Sequence, residues 1–366
     1  MTDYAAKMAK VLTEYSVPIF ENDIVVIDGP SFAEPLVEAL FSAILERGGH
    51  PIVSVGLENL PELFFRKATD AQLEFVAART MADVQTMNVF YSIRAHINTK
   101  RFSKVDPQRL ARYQKSRKSF MDVFNERETK GELRWCIAPW PTQSSAQEAE
   151  MGFLDYADFV FGACGLDEPD PVAYWQGFRD NQMRLVDWLA DKHHAEVRAP
   201  GIELSFEFGD RKWISCHGER NFPDGEIYTC PIEDSVNGHV AFNYPTMYGG
   251  REINGVQLTF RDGVVVEASA NKGEDYLYSQ LDMDEGARRL GEFAIGTNMH
   301  IQQFTREILF DEKIGGTIHM ALGRGFPRAG GKNDSSVHWD MVHGMRQDAE
   351  ITVDGTVIYR NGAFVI

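Results

Sequence analysis

The sequence predicts a two-domain chain: an α/β domain on a parallel sheet over residues 1–195, then a strand-rich α+β domain over residues 196–366. Three observations lead there. The 366 residues exceed what one core ordinarily organises. In the first half, short apolar runs are spaced by amphipathic helical stretches. After Pro200-Gly201, apolar and polar residues alternate at period two.

Residues 24–28 (IVVID) form the first predicted strand and stop at Gly29-Pro30. A helical pattern follows through Leu36, Leu40 and Ile44, whose spacing lines one helix face. Residues 51–56 (PIVSVG), 89–93 (VFYSI) and 135–138 (WCIA) supply three more strands. Helices are expected over 107–126 and, before the second domain, over 171–194. Strands joined by helical crossovers pack as a parallel sheet. No GxGxxG or GxxxxGK[ST] motif follows the first strand, so the loop that cradles a nucleotide phosphate is lacking.

In the second half, Ile202, Leu204 and Phe206 alternate with Glu203, Ser205 and Glu207. Further strands are expected at 253–260, 264–268, 317–322 and 351–359, with Asp262-Gly263 and Asp354-Gly355 as hairpin turns. One helix, about 283–293, interrupts them.

Apolar residues at 43% and charged residues at 25% match soluble globular chains. The balance of 54 acidic against 37 basic residues, a formal charge of −17, repels phosphate backbones and anionic lipid surfaces, so neither nucleic acid nor membrane is expected as a partner. No apolar stretch approaches the roughly 20 residues that span a bilayer, and the first residues lack the apolar run of a signal peptide. Cys136, Cys164, Cys216 and Cys230 are scattered without a CxxC pair, which points to a reducing cytoplasm.

Five residues of the second half carry the chemistry: Glu226, Glu292, His319, His338 and Asp340. His338 and Asp340 lie two apart in a predicted strand and so project from one face, about 7 Å apart along the chain. Imidazole and carboxylate are ligands for zinc, cobalt, manganese or iron. His319 shares its strand face with Thr317 and Ala321, opposite Ile318, Met320 and Leu322, and a Gly-rich loop over 323–333 leads from it to the HxD strand. Glu292 is flanked by glycine and apolar residues, as is Glu226, which marks both as carboxylates needing a charge partner. Three carboxylates at one dry point raise each other's pKa sharply unless cations neutralise them, and two divalent ions would do so.

The segments PDGEIYT, LGEFAIG, IHMALGR and GGKNDSSVHWD resemble the aminopeptidase T and aminopeptidase S family of metallopeptidases. The resemblance implies an α/β first domain, a metal-binding second domain, homodimeric assembly and hydrolysis of short peptides from the N-terminus with two divalent ions (zinc, cobalt or manganese). It implies that Glu226, Glu292, His319, His338 and Asp340 are the metal ligands and that Glu292 also assists proton transfer. The family carries a tyrosine seven residues after the first histidine; this chain has Phe326 there. Tyr228, Tyr248 and Arg324 are candidates to take over from the absent phenol. A similar fold is used by 2,5-dihydroxypyridine dioxygenase, so a mononuclear iron oxygenase built on His319, His338 and Asp340 is the alternative expectation; a related amide hydrolase and a non-catalytic binding protein with a vestigial site are the others.

Overall fold

A computed structural model describes residues 2–366. The four short apolar runs of the first half form strands β1 (Ile24–Pro30), β2 (His50–Gly56), β3 (Val89–Arg94) and β4 (Arg134–Pro139). They pair in the order β2-β1-β3-β4, all parallel. The helix Glu34–Glu46 buries Leu36, Val37, Leu40 and Ile44, the stripe its spacing predicts. The expected helix over 107–126 is two, Pro107–Ser116 and Lys118–Thr129, the first capped by the Asp106 carboxylate. The chain divides into one unit of Met1–Gln176 with Gly218–Pro223 and a second of Gly177–His217 with Asp224–Ile366.

Two expectations for the second half are corrected. The long helix ends at Leu189, and His194–Ala199 is a strand that hairpins into Ile202–Glu207. Ala195 and Val197 are buried at period two, and Gly201, at φ 85°, makes the turn; the Pro-Gly step therefore lies inside a sheet. The helix expected over 283–293 is a short 3₁₀ turn, Glu285–Arg288, followed by the strand Leu290–Gly296. All seven residues of that strand are buried, which hides the alternation a half-exposed strand displays. The predicted strand over 253–260 is also two, Arg251–Ile253 and Gln257–Arg261, in different sheets.

The second unit holds two main antiparallel sheets. One has eight strands, running from Val264–Ser269 through Gln257–Arg261, Asn237–Ala241, Ile202–Glu207, His194–Ala199, Glu350–Val353 and Thr356–Arg360 to Ala363–Phe364. The other has β5 (Ile214–Cys216), β6 (Glu226–Thr229), β7 (Leu290–Gly296), β8 (Thr317–Gly323) and β9 (His338–Gly344), in the order β9-β8-β7-β6-β5. Ile227, Phe293, Ile295, Ile318, Met320, Leu322, Trp339 and Met341 from this sheet share one core with Val197, Leu204, Phe206, Val240, Leu258 and Ile351 from the larger one. Phe293 and Phe206 meet with ring centroids 4.8 Å apart.

Candidate metal centre

The opposite face of the five-stranded sheet follows from its register. Residues paired directly across an antiparallel ladder project to the same side. Ala321 pairs with Glu292 on one flank and Asp340 on the other, and His319 pairs with Ala294 and Val342. Ala294 in turn pairs with Tyr228, and Gly296 with Glu226. Glu226, Tyr228, Glu292, His319 and Asp340 therefore share a face, and His338, two residues before Asp340, joins them. Ala294, Ala321 and Gly296 between them have no bulk to fill the space over the sheet. Gly225, at φ 144°, admits no side chain before Glu226: a Cβ there would lie 2.5 Å from that of Asn298.

Glu292 lies between the two imidazoles. His319 Nε2 is 3.2 Å from Glu226 Oε2 and 3.7 Å from Glu292 Oε1; His338 Nε2 is 3.4 Å from Glu292 Oε2 and 3.6 Å from Asp340 Oδ2. The His338 Nδ1–H donates to the carbonyl of Arg324 at 2.8 Å, which fixes the tautomer and leaves Nε2 free to ligate. Arg324 thus meets the site through its backbone, while its side chain is exposed. The Tyr248 hydroxyl accepts from the His338 N–H at 3.4 Å, and its ring stacks on Trp339. Phe326 packs against His338 and Tyr228 with centroids 4.8 and 5.4 Å away, and its N–H donates to Cys230 Sγ. The loop before β9 is pinned by Asp284, whose carboxylate accepts from the Ser335 and Ser336 hydroxyls and the Ser336 N–H; those bonds hold it at about 2.

Sequence reasoning missed three groups. Glu312 places a carboxylate with Glu226 and His319, the ligand atoms lying within 4.8 Å of one another; Glu292, His319 and Asp340 form an equally tight group that shares the His319 ring. Lys313 is fully buried, bonded to Glu312, with its Nζ 3.9 Å from both Asp224 and Glu226. Asp224 is the third, buried beside them. The signal was the charged Asp-Glu-Lys run directly after the apolar Leu309-Phe310, where a solvated loop would not need to be buried. Cys216 also lies near Asp224 and Glu226, but burial pushes its thiol up, which disfavours the thiolate a metal needs.

Burial raises Glu226 and Asp340 above the ordinary carboxylate range, against the pull of Lys313 and His338 respectively. Burial also pushes Glu292 up, but the His319 and His338 imidazoles beside it more than reverse that and hold the carboxylate ionised. The same contacts overcome the desolvation that would lower the two imidazoles and raise both. Glu226 Oε2 and Asp340 Oδ1 are buried without a hydrogen-bond partner; the 3.2 Å approach of His319 lacks hydrogen-bond geometry. Stranded acceptor oxygens are costly. Five carboxylates, Asp224 among them, and two imidazoles, opposed by one lysine, fit divalent ions that take oxygen and nitrogen ligands.

The profile of the family described as thermophilic metalloprotease (M29) matches residues 2–364. Aminopeptidase 2 of Geobacillus stearothermophilus is 29% identical, over 97% of this chain and 96% of its own length. Aminopeptidase T of Thermus aquaticus is 27% identical over 71% of this chain and 72% of its own. Among solved structures, wild-type AmpT from Thermus thermophilus superposes with a TM-score of 0.85 at 23% identity, covering 99% of each chain. The 2,5-dihydroxypyridine dioxygenase of Pseudomonas putida KT2440 reaches a TM-score of 0.62 at 13% identity, over 100% of this chain and 98% of its own, a likeness of fold.

Proposed function

We propose a two-ion peptidase mechanism for this chain, which belongs to the thermophilic metalloprotease (M29) family and is a hydrolase of the metallo-aminopeptidase kind. The substrates are short peptides, cut after the first residue. The observation that carries the reading is the single polar sheet face on which Glu226, Glu292, His319, His338 and Asp340 converge. Residues 196–366 form the catalytic domain in this reading. Glu226, Glu312 and His319 would hold one ion and His338 and Asp340 the other, with the Glu292 carboxylate within reach of both imidazoles and available to either set; zinc, cobalt and manganese would suit these donors.

When bound, the ions supply Lewis-acid polarisation of the peptide carbonyl and acidify a water. Glu292 moves the proton. Its ionised carboxylate accepts a proton from the attacking water and returns it to the leaving amine nitrogen as the C–N bond breaks. Phe326 offers no hydroxyl, so Tyr228, on the same face two residues from Glu226, takes over as hydrogen-bond donor to the developing oxyanion. Arg324 and Tyr248 orient His338 from behind.

Two further readings complete the proposal. The sheet edge at β2 exposes Ile52, Val53 and Val55, an unpaired apolar edge that a second copy of the chain would cover in a homodimer. All four cysteines are free thiols, in keeping with a cytoplasmic setting; no helix among the described residues is long and apolar enough to cross a membrane. The test is chelation and reloading. Release of the first amino acid from a dipeptide panel stops in chelator and returns with zinc, cobalt or manganese. Return of oxygen uptake with iron, without peptide hydrolysis, would instead favour the oxygenase that His319, His338 and Asp340 alone can build.

A further inference from the structure

A cavity of about 170 Å³ opens against Asp340 and Val342, on the flank of the metal-centre residues. Its walls are Pro245, Met247, Phe304, Ile308 and Val342. Apart from Asp340, whose carboxylate belongs to the metal-centre residues and has an unpartnered Oδ1, the polar groups that line it are already engaged. Arg306 Nε donates to Glu252 at 3.3 Å. Asp311 Oδ1 accepts from the Thr305 N–H and hydroxyl at 2.7 and 2.9 Å. The Thr246 hydroxyl donates to the Asp340 carbonyl and accepts from Trp339 Nε1, both at 2.8 Å. Glu307 at the rim is not free either. What remains for an occupant is apolar wall. Arg306 sits at φ 63°, in the left-handed region a side chain rarely adopts, so the rim is held by its contacts with Asp311 and Glu252 rather than by backbone preference.

We propose that this cavity receives the side chain of the peptide's first residue and selects medium-sized apolar ones: leucine, methionine and phenylalanine. The inference rests on the aminopeptidase reading of the adjoining centre. A peptide held there by its amine and first carbonyl has its first side chain within reach of Asp340, which is shared by centre and cavity. An apolar cavity of roughly 150 Å³ holds a benzene ring, so this one accommodates six or seven carbon atoms and is poorly filled by alanine. With Asp340 committed to the adjoining metal centre in this reading, no further uncompensated charge lines the cavity for a lysine or an aspartate.

The test uses the metal-loaded full chain and Leu-, Met-, Phe-, Ala-, Lys- and Asp-p-nitroanilides. The first three are expected to exceed Ala and Lys in kcat/KM by about tenfold or more, since one or two methylenes in a fitted pocket discriminate on that scale. Met247→Trp fills the cavity and is expected to erase that advantage by lowering kcat/KM for Leu, Met and Phe about tenfold more than for Ala, the fold being checked by circular dichroism. Ile308→Ala, at a half-exposed wall position that tolerates change, is expected to move the preference toward Phe. Preference for Lys, or an equal loss for Leu and Ala in Met247→Trp with Ile308→Ala unchanged in preference, would overturn the inference. A second readout is independent of catalysis: calorimetric binding of L-leucinol over L-alaninol, lost in Met247→Trp. A chain that hydrolyses no substrate yet keeps this Met247-dependent binding would sink the peptidase reading and leave the cavity's role standing; a chain that hydrolyses peptides without it would do the reverse.

Discussion

The two faces of the five-stranded sheet are built by the same strands and differ in almost everything else. One presents Phe293, Ile295, Ile318, Met320, Trp339 and Met341 to a core shared with the larger sheet. The other, offset by a single residue along each strand, presents Glu292, His319, His338 and Asp340. The apolar face supplies the burial that keeps the strands in register, and the register brings together candidate ligands from as far apart in sequence as Glu226 and Asp340. A period of two thus separates what stabilises the molecule from what performs its chemistry, and a one-residue slip would exchange them.

The largest effect is expected from Glu292→Gln, which keeps the shape of the polar face and removes its proton acceptor. Steady-state hydrolysis of a dipeptide should fall by about 10²–10⁴-fold, and the thermal midpoint of the metal-free protein should fall near neutral pH, because His319 and His338 lose the carboxylate between them. Full activity would remove Glu292 from the mechanism. Its neighbour on the other face acts through packing. Phe293→Ala should cost about 3–5 kcal/mol in denaturant unfolding, through the cavity it leaves against Phe206 and Trp213, and the surviving folded protein should keep its metal content. If Phe293→Ala lost metal without losing stability, the division of labour between the faces would be wrong.

How much of this was legible in the sequence depends on how each element is buried. The parallel strands of the first unit and the hairpins at Asp262-Gly263 and Asp354-Gly355 stood out because turn residues and apolar period agree there. Leu290–Gly296 did not, since a strand buried on both sides loses its alternation and the Glu- and Arg-rich stretch before it imitates a helix. Polar residues past Leu189 continue the composition of the preceding helix as far as His194, which hides the strand His194–Ala199. The five candidate ligands were recognisable by residue type and motif, but their convergence is a property of strand order, which no local pattern encodes. Glu312 and Lys313 escaped notice because their place depends on the chain reversing through Gly315-Gly316 ahead of β8.

pH separates the metal-free and metal-loaded forms of the polar face. Burial would lower His319 and His338, but Glu292 and its neighbours raise them, to about 10 and about 9 against an ordinary 6.5. A raised imidazole stabilises the folded state fully below its unfolded value and loses that contribution as pH climbs through the folded one. Metal-free protein should therefore lose stability between about pH 6.5 and 10. Ligation needs neutral rings, so metal binding releases protons and its affinity should rise over the same interval. Thermal melts with and without zinc across that range check both signs; parallel curves would contradict the account.

A smaller effect is expected from Phe326→Tyr. Restoring a phenol beside His338 and Tyr228 should raise kcat by about tenfold, somewhat less than the loss of an oxyanion donor usually costs, with metal affinity unchanged. Combined with Tyr228→Phe, it tests whether the two hydroxyls act at one place: the gain should persist when Tyr228 is gone.

The central claim is that the polar face holds a pair of dications between Glu226 and Asp340. Elemental analysis of the chelator-stripped chain after titration with zinc measures it directly. The account predicts two tightly held ions per chain, falling to one or none in His338→Ala. A single ion that survives His338→Ala, or no retained metal at all, would contradict it.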